Sequence, residues 1–305
     1  MGWLVSWIRD ALVVARFDLA ESLRSRKALV FLVLYVAGAV AATWMFTEVL
    51  QEVEEQLAQQ LLVARTDTPG SLTQAVMESP ELHAVLARLV RDDELATQLL
   101  ALPPIALVYH WVALTFAPAF VALTSSDAIA LEVASGSARF ALFRTDKSAW
   151  ATGKLLGQAS LSVVGVGLGA VGAWITGWIQ LASFEPGASA LWMLRYSGTA
   201  FLYVFAFLGI VMATSQLTRS VQWSRALGLL ALVGTFTASG WLGRDSVRES
   251  APALVDSLRL LFPAAHKLDL WRLEWTEVAP AGLVLVAMGL GAFTVAHLVF
   301  LRRDA

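Results

Sequence analysis

Six stretches of the chain stay apolar for roughly 17 residues or more, and polar, charged or glycine-dotted segments separate them. They are Ala28–Thr47, Pro104–Thr124, Leu155–Ala182, Leu191–Leu217, Ala226–Leu242 and Ala281–Leu301, the fifth being the shortest. A helix that crosses a bilayer needs about 20 mostly apolar residues. Each run is too long for a buried strand, and hydrocarbon offers the backbone no partner outside a helix or a closed barrel. The pattern predicts an all-α, polytopic membrane protein with six transmembrane helices, occupying residues 28–305.

The polar segments have patterns of their own. In "MGWLVSWIRDALVVARFDLAESLRSRK", Leu4, Ile8, Leu12, Ala15, Leu19 and Leu23 recur at helical spacing. With Trp3, Trp7 and a terminal Arg/Lys cluster, residues 1–27 are expected to form an amphipathic elbow helix on the cytoplasmic leaflet. The segment lacks the basic start and unbroken apolar core of a signal peptide. Residues 48–103 contain the apolar-striped "EVLQEVEEQLAQQLLV", a capping-box pattern at Ser71–Gln74, and "SPEL" at Ser79, which puts Pro in a first helical turn. They predict a helical extracytoplasmic lobe between spans one and two. Residues 243–279 form a second outer loop, and "LRLLFPAAHKLDLW" within it predicts a helix at, or dipping into, the interface.

Composition agrees with the pattern. Charged residues make up 15% of the chain and hydrophobic ones 57%, against about 25% charged in soluble domains. Many of the 12 Trp sit at the edges of the runs, where indole rings favour the bilayer interface. With the N-terminus inside, the inner segments carry 13 of the 22 Lys and Arg but only seven of the 24 Asp and Glu. The positive-inside rule then puts both termini, and residues 125–154, in the cytoplasm.

Several chemistries are excluded. Cys is absent, which removes disulfides, thiolate metal sites and cysteine nucleophiles. The four His lie far apart and match no metal spacing, so no metal site is expected. The net charge of −2 gives no reason to expect nucleic acid. Gly167-x-Gly169-x-x-Gly172 matches a dinucleotide fingerprint but lies in mid-span, with no strand before it. Gly165, Gly169, Ala173 and Gly177 instead fall every fourth residue, a smooth stripe for close packing on another span or on a second subunit. Gly153–Lys154 lacks the remainder of a P-loop. Spans contain few ionisable groups: His110 in span two, and Arg195 and His297 near span ends, where snorkelling to the interface is expected. The lack of deep carboxylates and of a nucleophile set argues against an ion-coupled carrier or an intramembrane hydrolase.

The segment between spans two and three, "LEVASGSARFALFRTDKSAWATGK", carries a resemblance. The chain resembles the membrane subunit of type-2 ABC exporters, six-span permeases that pair with a separate ATPase. Glu132 stands at the family's Glu, Gly136–Ser137 at its Gly-Ser/Thr, Leu142 at its Leu, Lys147 near its Arg and Gly153–Lys154 at its closing Gly-Lys. The family's Pro has no counterpart in "FRTDK". "DLAESLRSRKALVFLVL", "FLGIVMATSQLTRS" and "LLFPAAHKLDLW" are similar to the family's entry helix, the end of span four and the stretch before span six. Only residues 48–103 are longer than in the simplest members.

The resemblance implies a coupling helix seated in an ATPase cleft. Glu132, Ser135, Gly136, Ser137 and Arg139 would lie at that interface, with Arg144, Asp146 and Lys147 at its rim. It implies a bacterial cytoplasmic-membrane exporter permease, paired with a second copy or a paralogue. ATP-Mg and its hydrolysis would belong to the partner, leaving this chain without catalytic residues or cofactor. Tyr109, His110, Thr115, Ser197 and Tyr203 are candidate pathway residues. The alternative is an anchor or mechanotransmission subunit acting on an extracytoplasmic protein without solute flux. The solute and any accessory outer protein are left open.

Overall fold

A computed structural model describes residues 2–61, 80–90, 92–244, 247 and 252–302. Every regular element among them is helical. In chain order these are α1 (Gly2–Arg24), α2 (Arg26–Leu61), α3 (Pro80–Val90), α4 (Asp93–Leu100), α5 (Pro104–Ser125), α6 (Ala130–Ser135), α7 (Ser137–Leu142), α8 (Lys147–Gln180), α9 (Pro186–Leu217), α10 (Val221–Leu242), α11 (Pro252–Arg259) and α12 (Trp275–Leu301). Two 3-10 turns, Pro263–His266 and Asp269–Trp271, precede α12. Helices α2, α5, α8, α9, α10 and α12 are long and apolar enough to cross a membrane, and are spans one to six. The chain is a multi-pass membrane protein.

Spans two, three and four form the interior, and spans one, five and six lie at the periphery with much of their apolar surface bare. Val30, Val33, Leu34, Leu230, Val233, Leu283 and Val295 are all exposed. So continuous an apolar exterior is the surface that lipid, not water, covers.

Small residues set the helix spacing. A Cβ on Gly209 of α9 would lie 2.0 Å from the Gly289 carbonyl oxygen of α12, so spans four and six touch backbone to backbone. In the span-three stripe, a Cβ on Gly165 would meet Phe120 at 2.8 Å, one on Gly169 would meet Tyr35 at 2.8 Å, and one on Gly177 would meet Ile105 and Phe184 at 3.0 Å. The stripe therefore packs within this chain, on spans one and two, and not on a second subunit. It also continues backwards: Gly157 and Gly153 of α8 lie against Ala15, Asp18, Ala11 and Val14 of α1.

Two boundaries differ most from the hydropathy reading. Span one does not end at Thr47. α2 continues to Leu61, because "EVLQEVEEQLAQQL" consists mostly of good helix formers and Leu50 stays buried. Its 36 residues extend about 54 Å at 1.5 Å per residue. Span three starts at Lys147 rather than Leu155, which places Lys154 inside a helix. Pro80 opens α3 as "SPEL" predicts, whereas Ser71–Gln74 lies outside the described residues.

α1 is a helix, but its predicted stripe divides. Ala11, Ala15 and Asp18 are buried, and Leu19 and Leu23 pack against the core. Leu4, Ile8 and Leu12 are exposed. At the other end of the bundle, the 3-10 turns enter between the spans. Leu270 is fully buried, and the Trp271 ring lies 4.5 Å from that of His110, edge to face.

Candidate functional site

The chain leaves span two by a tight turn and continues as two short helices. Gly136 closes α6 and opens α7 with φ +76°. A side chain at that left-handed position is strained, so the Gly of the motif is a conformational requirement. The hydroxyls of Ser135 and Ser137 lie 2.9 Å apart, and both donate to the Glu132 carbonyl, at 3.2 and 3.4 Å. The Gly-Ser pair thus builds a rigid corner.

Two polar clusters fasten this corner to the bundle. In the first, the Asp127 carboxylate, with a side chain only 5% exposed, lies 2.6 Å from Lys27 Nζ at the start of span one. It is also 2.6 Å from Arg225 Nη2 at the start of span five. Ser215 Oγ in span four accepts the N–H groups of Ile129 and Ala130, both at 3.0 Å. These are first-turn donors that a helix cannot satisfy by itself. Ser224 donates to the Ser126 carbonyl.

The second cluster centres on Lys154, whose side chain is 6% exposed. Its ammonium lies 2.6 Å from Asp18 Oδ1 of α1 and bonds Glu132 of α6. Gln158, one turn on, donates to Asp18 Oδ2 at 2.7 Å and to Ser22 at 3.1 Å, and accepts from Ser125 at 2.9 Å. Burial pushes the Asp18 carboxyl above its ordinary value, opposed by the Lys154 ammonium. Charges this deep are tolerated only when paired and fully hydrogen-bonded. Together the clusters tie the segment after span two to α1 and to spans one, three, four and five. Its ionic ties join elements that follow one another only through long stretches of chain.

The outer side of the corner is bare. Leu131 is 50% exposed, Phe140 78% and Phe143 86%. With Val13, Phe17 and Arg144 the two phenylalanines border a cleft of about 780 Å³ between α1 and the corner, and Lys154 and Glu132 lie within it. Of the residues singled out from the motif, Arg139, Arg144, Ser135 and Ser137 are exposed, Lys147 starts span three, and Glu132 is committed to Lys154.

The five pathway candidates do not form one group. Tyr109 donates to the Val166 carbonyl at 2.7 Å, with Ser197 Oγ at 3.2 Å from its hydroxyl. Ser197 borders an apolar groove of about 590 Å³ between spans three and four. Tyr203 is fully buried against Phe207. His110, also fully buried, stacks on Tyr196 at 4.1 Å, and neither ring nitrogen makes a well-formed hydrogen bond. Thr115 receives Lys267 Nζ at 3.3 Å.

Arg195 and His297 both find protein partners. The Arg195 guanidinium sits 5.1 Å from the Trp192 ring and 4.8 Å from that of Trp275, and donates to the carbonyls of Arg272 and Leu273. His297 Nδ1 lies 3.2 Å from Gln216 Oε1.

Reading the sequence did not find the Asp18–Lys154 pair. A signal was present: Ala11-x-x-x-Ala15 and Gly153-x-x-x-Gly157 are small-residue pairs that let two helices approach, and each is followed or flanked by one of two opposite charges. No group of three His, Asp or Glu suited to a metal occurs among the described residues. No protein-family model matches the chain, and no curated protein matches it either.

Proposed function

We propose that the chain is the permease subunit of an ATP-binding cassette exporter in a bacterial cytoplasmic membrane. Two copies, or one copy and a paralogue, would pair with two ATPase subunits. One observation carries this reading. The corner between spans two and three is ion-paired or hydrogen-bonded to α1 and to spans one, three, four and five, while Leu131, Phe140 and Phe143 on it remain bare. A push on that bare face moves the ends of most spans together, as energy transfer from a separate motor requires. The charge bias of the segments supports a cytoplasmic location for this end and for both termini. α1, with Leu4, Ile8 and Leu12 exposed, serves as the elbow on the inner leaflet. ATP binding shifts the permease between inward- and outward-open states through its different affinity for the two. The ATP chemistry belongs to the partner.

The test is co-purification in mild detergent. Phe140→Asp and Phe143→Asp change exposed side chains and leave both polar clusters intact, whereas a change at Glu132 also strips Lys154 of a partner. An ATPase that accompanies the wild type and is lost from a well-folded double variant supports the reading. Retention of the ATPase by that variant, or its absence from the wild type, sinks it.

A second reading, mechanotransmission without flux, is favoured by α2. Its 36 residues extend about 54 Å, well beyond a hydrocarbon layer of about 30 Å. One unbroken rod from Arg26 to Leu61 suits a lever acting on an outer partner. Solute-stimulated ATPase activity with flux in vesicles decides for export; dependence on an outer protein without flux decides for the lever.

A further inference from the structure

Lys267 lies on the segment that enters the bundle between α11 and α12, outside the six spans. Its Nζ reaches Thr115 Oγ1 at 3.3 Å. Thr115 is eleven residues into α5 from Pro104, about 16 Å along the helix axis and close to its midpoint. No carboxylate among the described residues pairs with this ammonium. The nearest acid along the chain, Asp269, faces His266 at 3.8 Å. Burial draws the Lys267 pKa down, with no acid opposing it. Lys267 is partly buried, and a cation at this level of the bundle without a counter-charge is a candidate functional group.

The surroundings indicate the ligand's other half. An apolar groove of about 570 Å³ runs between spans one and two. Trp111, Val112, Phe116 and Ala119 form its span-two wall, and Gly38 and Met45 lie on the span-one side. Thr115 does not itself line the groove; it is the helical neighbour, at i−4, i−3 and i+4, of the wall residues Trp111, Val112 and Ala119, which places it on the groove's shoulder. Trp111 is 45% exposed and Phe116 50%, and a Cβ on Gly38 would meet nothing within 4 Å, so the groove opens to the bilayer. An ammonium at the shoulder of an apolar furrow complements a molecule with an anionic head and an apolar chain.

We propose that Lys267 and Thr115 hold the anionic headgroup, a phosphate or carboxylate, of a membrane-dissolved amphiphile whose chain lies in the groove between spans one and two. This deepens the export reading and rests on it only for the ligand's fate as cargo. Binding is tested on the full chain alone, with no ATPase present, so its failure leaves the coupling experiment standing.

The purified chain in neutral detergent is titrated with phosphatidic acid, with phosphatidylcholine of the same acyl chains, and with inorganic phosphate, and its melting temperature is followed. Phosphatidic acid stabilises the wild type, and the other two do not. Lys267→Met weakens phosphatidic acid binding by about tenfold or more, the loss of one charge-assisted contact, while Lys267→Arg retains it. Gly38→Leu, which places a side chain in the groove from the span-one side, also weakens it. Without lipid, Lys267→Met melts at the wild-type temperature or higher, because it removes an uncompensated charge. Equal phosphatidic acid affinity in Lys267→Met overturns the proposal. So does equal stabilisation by phosphatidylcholine, which makes the groove merely apolar, or by phosphate, which makes the site a simple ion site. A lower lipid-free melting temperature in Lys267→Met, with no lipid effect on the wild type, makes Lys267 a structural residue and also overturns it.

Discussion

Replacing Lys154 tests what holds α1 to the bundle. At 2.6 Å from Asp18, and at an effective dielectric constant of about 20, the two charges attract by roughly 6 kcal/mol. Desolvating two groups that are 6% and 5% exposed offsets much of this. Lys154→Met leaves Asp18 and Glu132 facing each other without a cation, and breaking a buried pair in this way costs about 3–5 kcal/mol. Asp18→Asn leaves Lys154 with Glu132 and costs less. In the double variant the unpaired charge on α1 is gone, so the two losses overlap. We expect a coupling energy of about 2–3 kcal/mol, as for residues sharing one network. The chain has no Cys, so one introduced at Ala11, a residue 2% exposed under α8, reports on α1 by itself. Maleimide labelling should be slow in the Ala11→Cys background and speed up strongly when Lys154→Met is added. It should partly recover in the double variant, in parallel with thermal melting. Additive losses within about 0.5 kcal/mol, or unchanged labelling, would refute the view that this ion cluster docks α1.

Two further expectations follow from the geometry. Gly209→Val should abolish recovery of monodisperse protein, because its Cβ would lie 2.0 Å from a backbone oxygen of α12, which has no flexible end to yield; Gly234→Val, where nothing lies within 4 Å, is the matched control. The Asp269 carboxylate, 3.8 Å away, raises the pKa of His266 above its ordinary value. Its contribution to stability is therefore complete below the ordinary imidazole value of about 6.5 and fades as the pH rises through the folded value. Melting temperature should fall over that range in the wild type and lose this dependence in Asp269→Asn.

Long-range hydropathy is a property of consecutive residues, and on that scale the chain was legible. Its six spans, all-helical class and lipid-facing exterior follow from apolar runs too long for anything but a helix in hydrocarbon. The span-three stripe was also visible as a spacing, and Gly136 as the Gly of a motif. Helix ends were less legible, because the boundary between lipid and water is not the end of a helix. α2 passes Thr47 with no break, and α8 begins two turns before its hydropathy rises. What only the tertiary structure decided was pairing across distance. Asp18 and Lys154 are 136 positions apart, and each reads as an ordinary charge in a polar segment until Ala11, Ala15, Gly153 and Gly157 let α1 and α8 close on each other. Lys27, Asp127 and Arg225 likewise meet only because alternate spans start or end on one side of the bundle. Lys267 read as part of an interfacial loop, yet the fold carries it to the middle of span two. The cause is the same throughout: apolar burial is set by local composition, whereas a buried charge is defined by whatever partner the packed chain brings to it, or fails to bring.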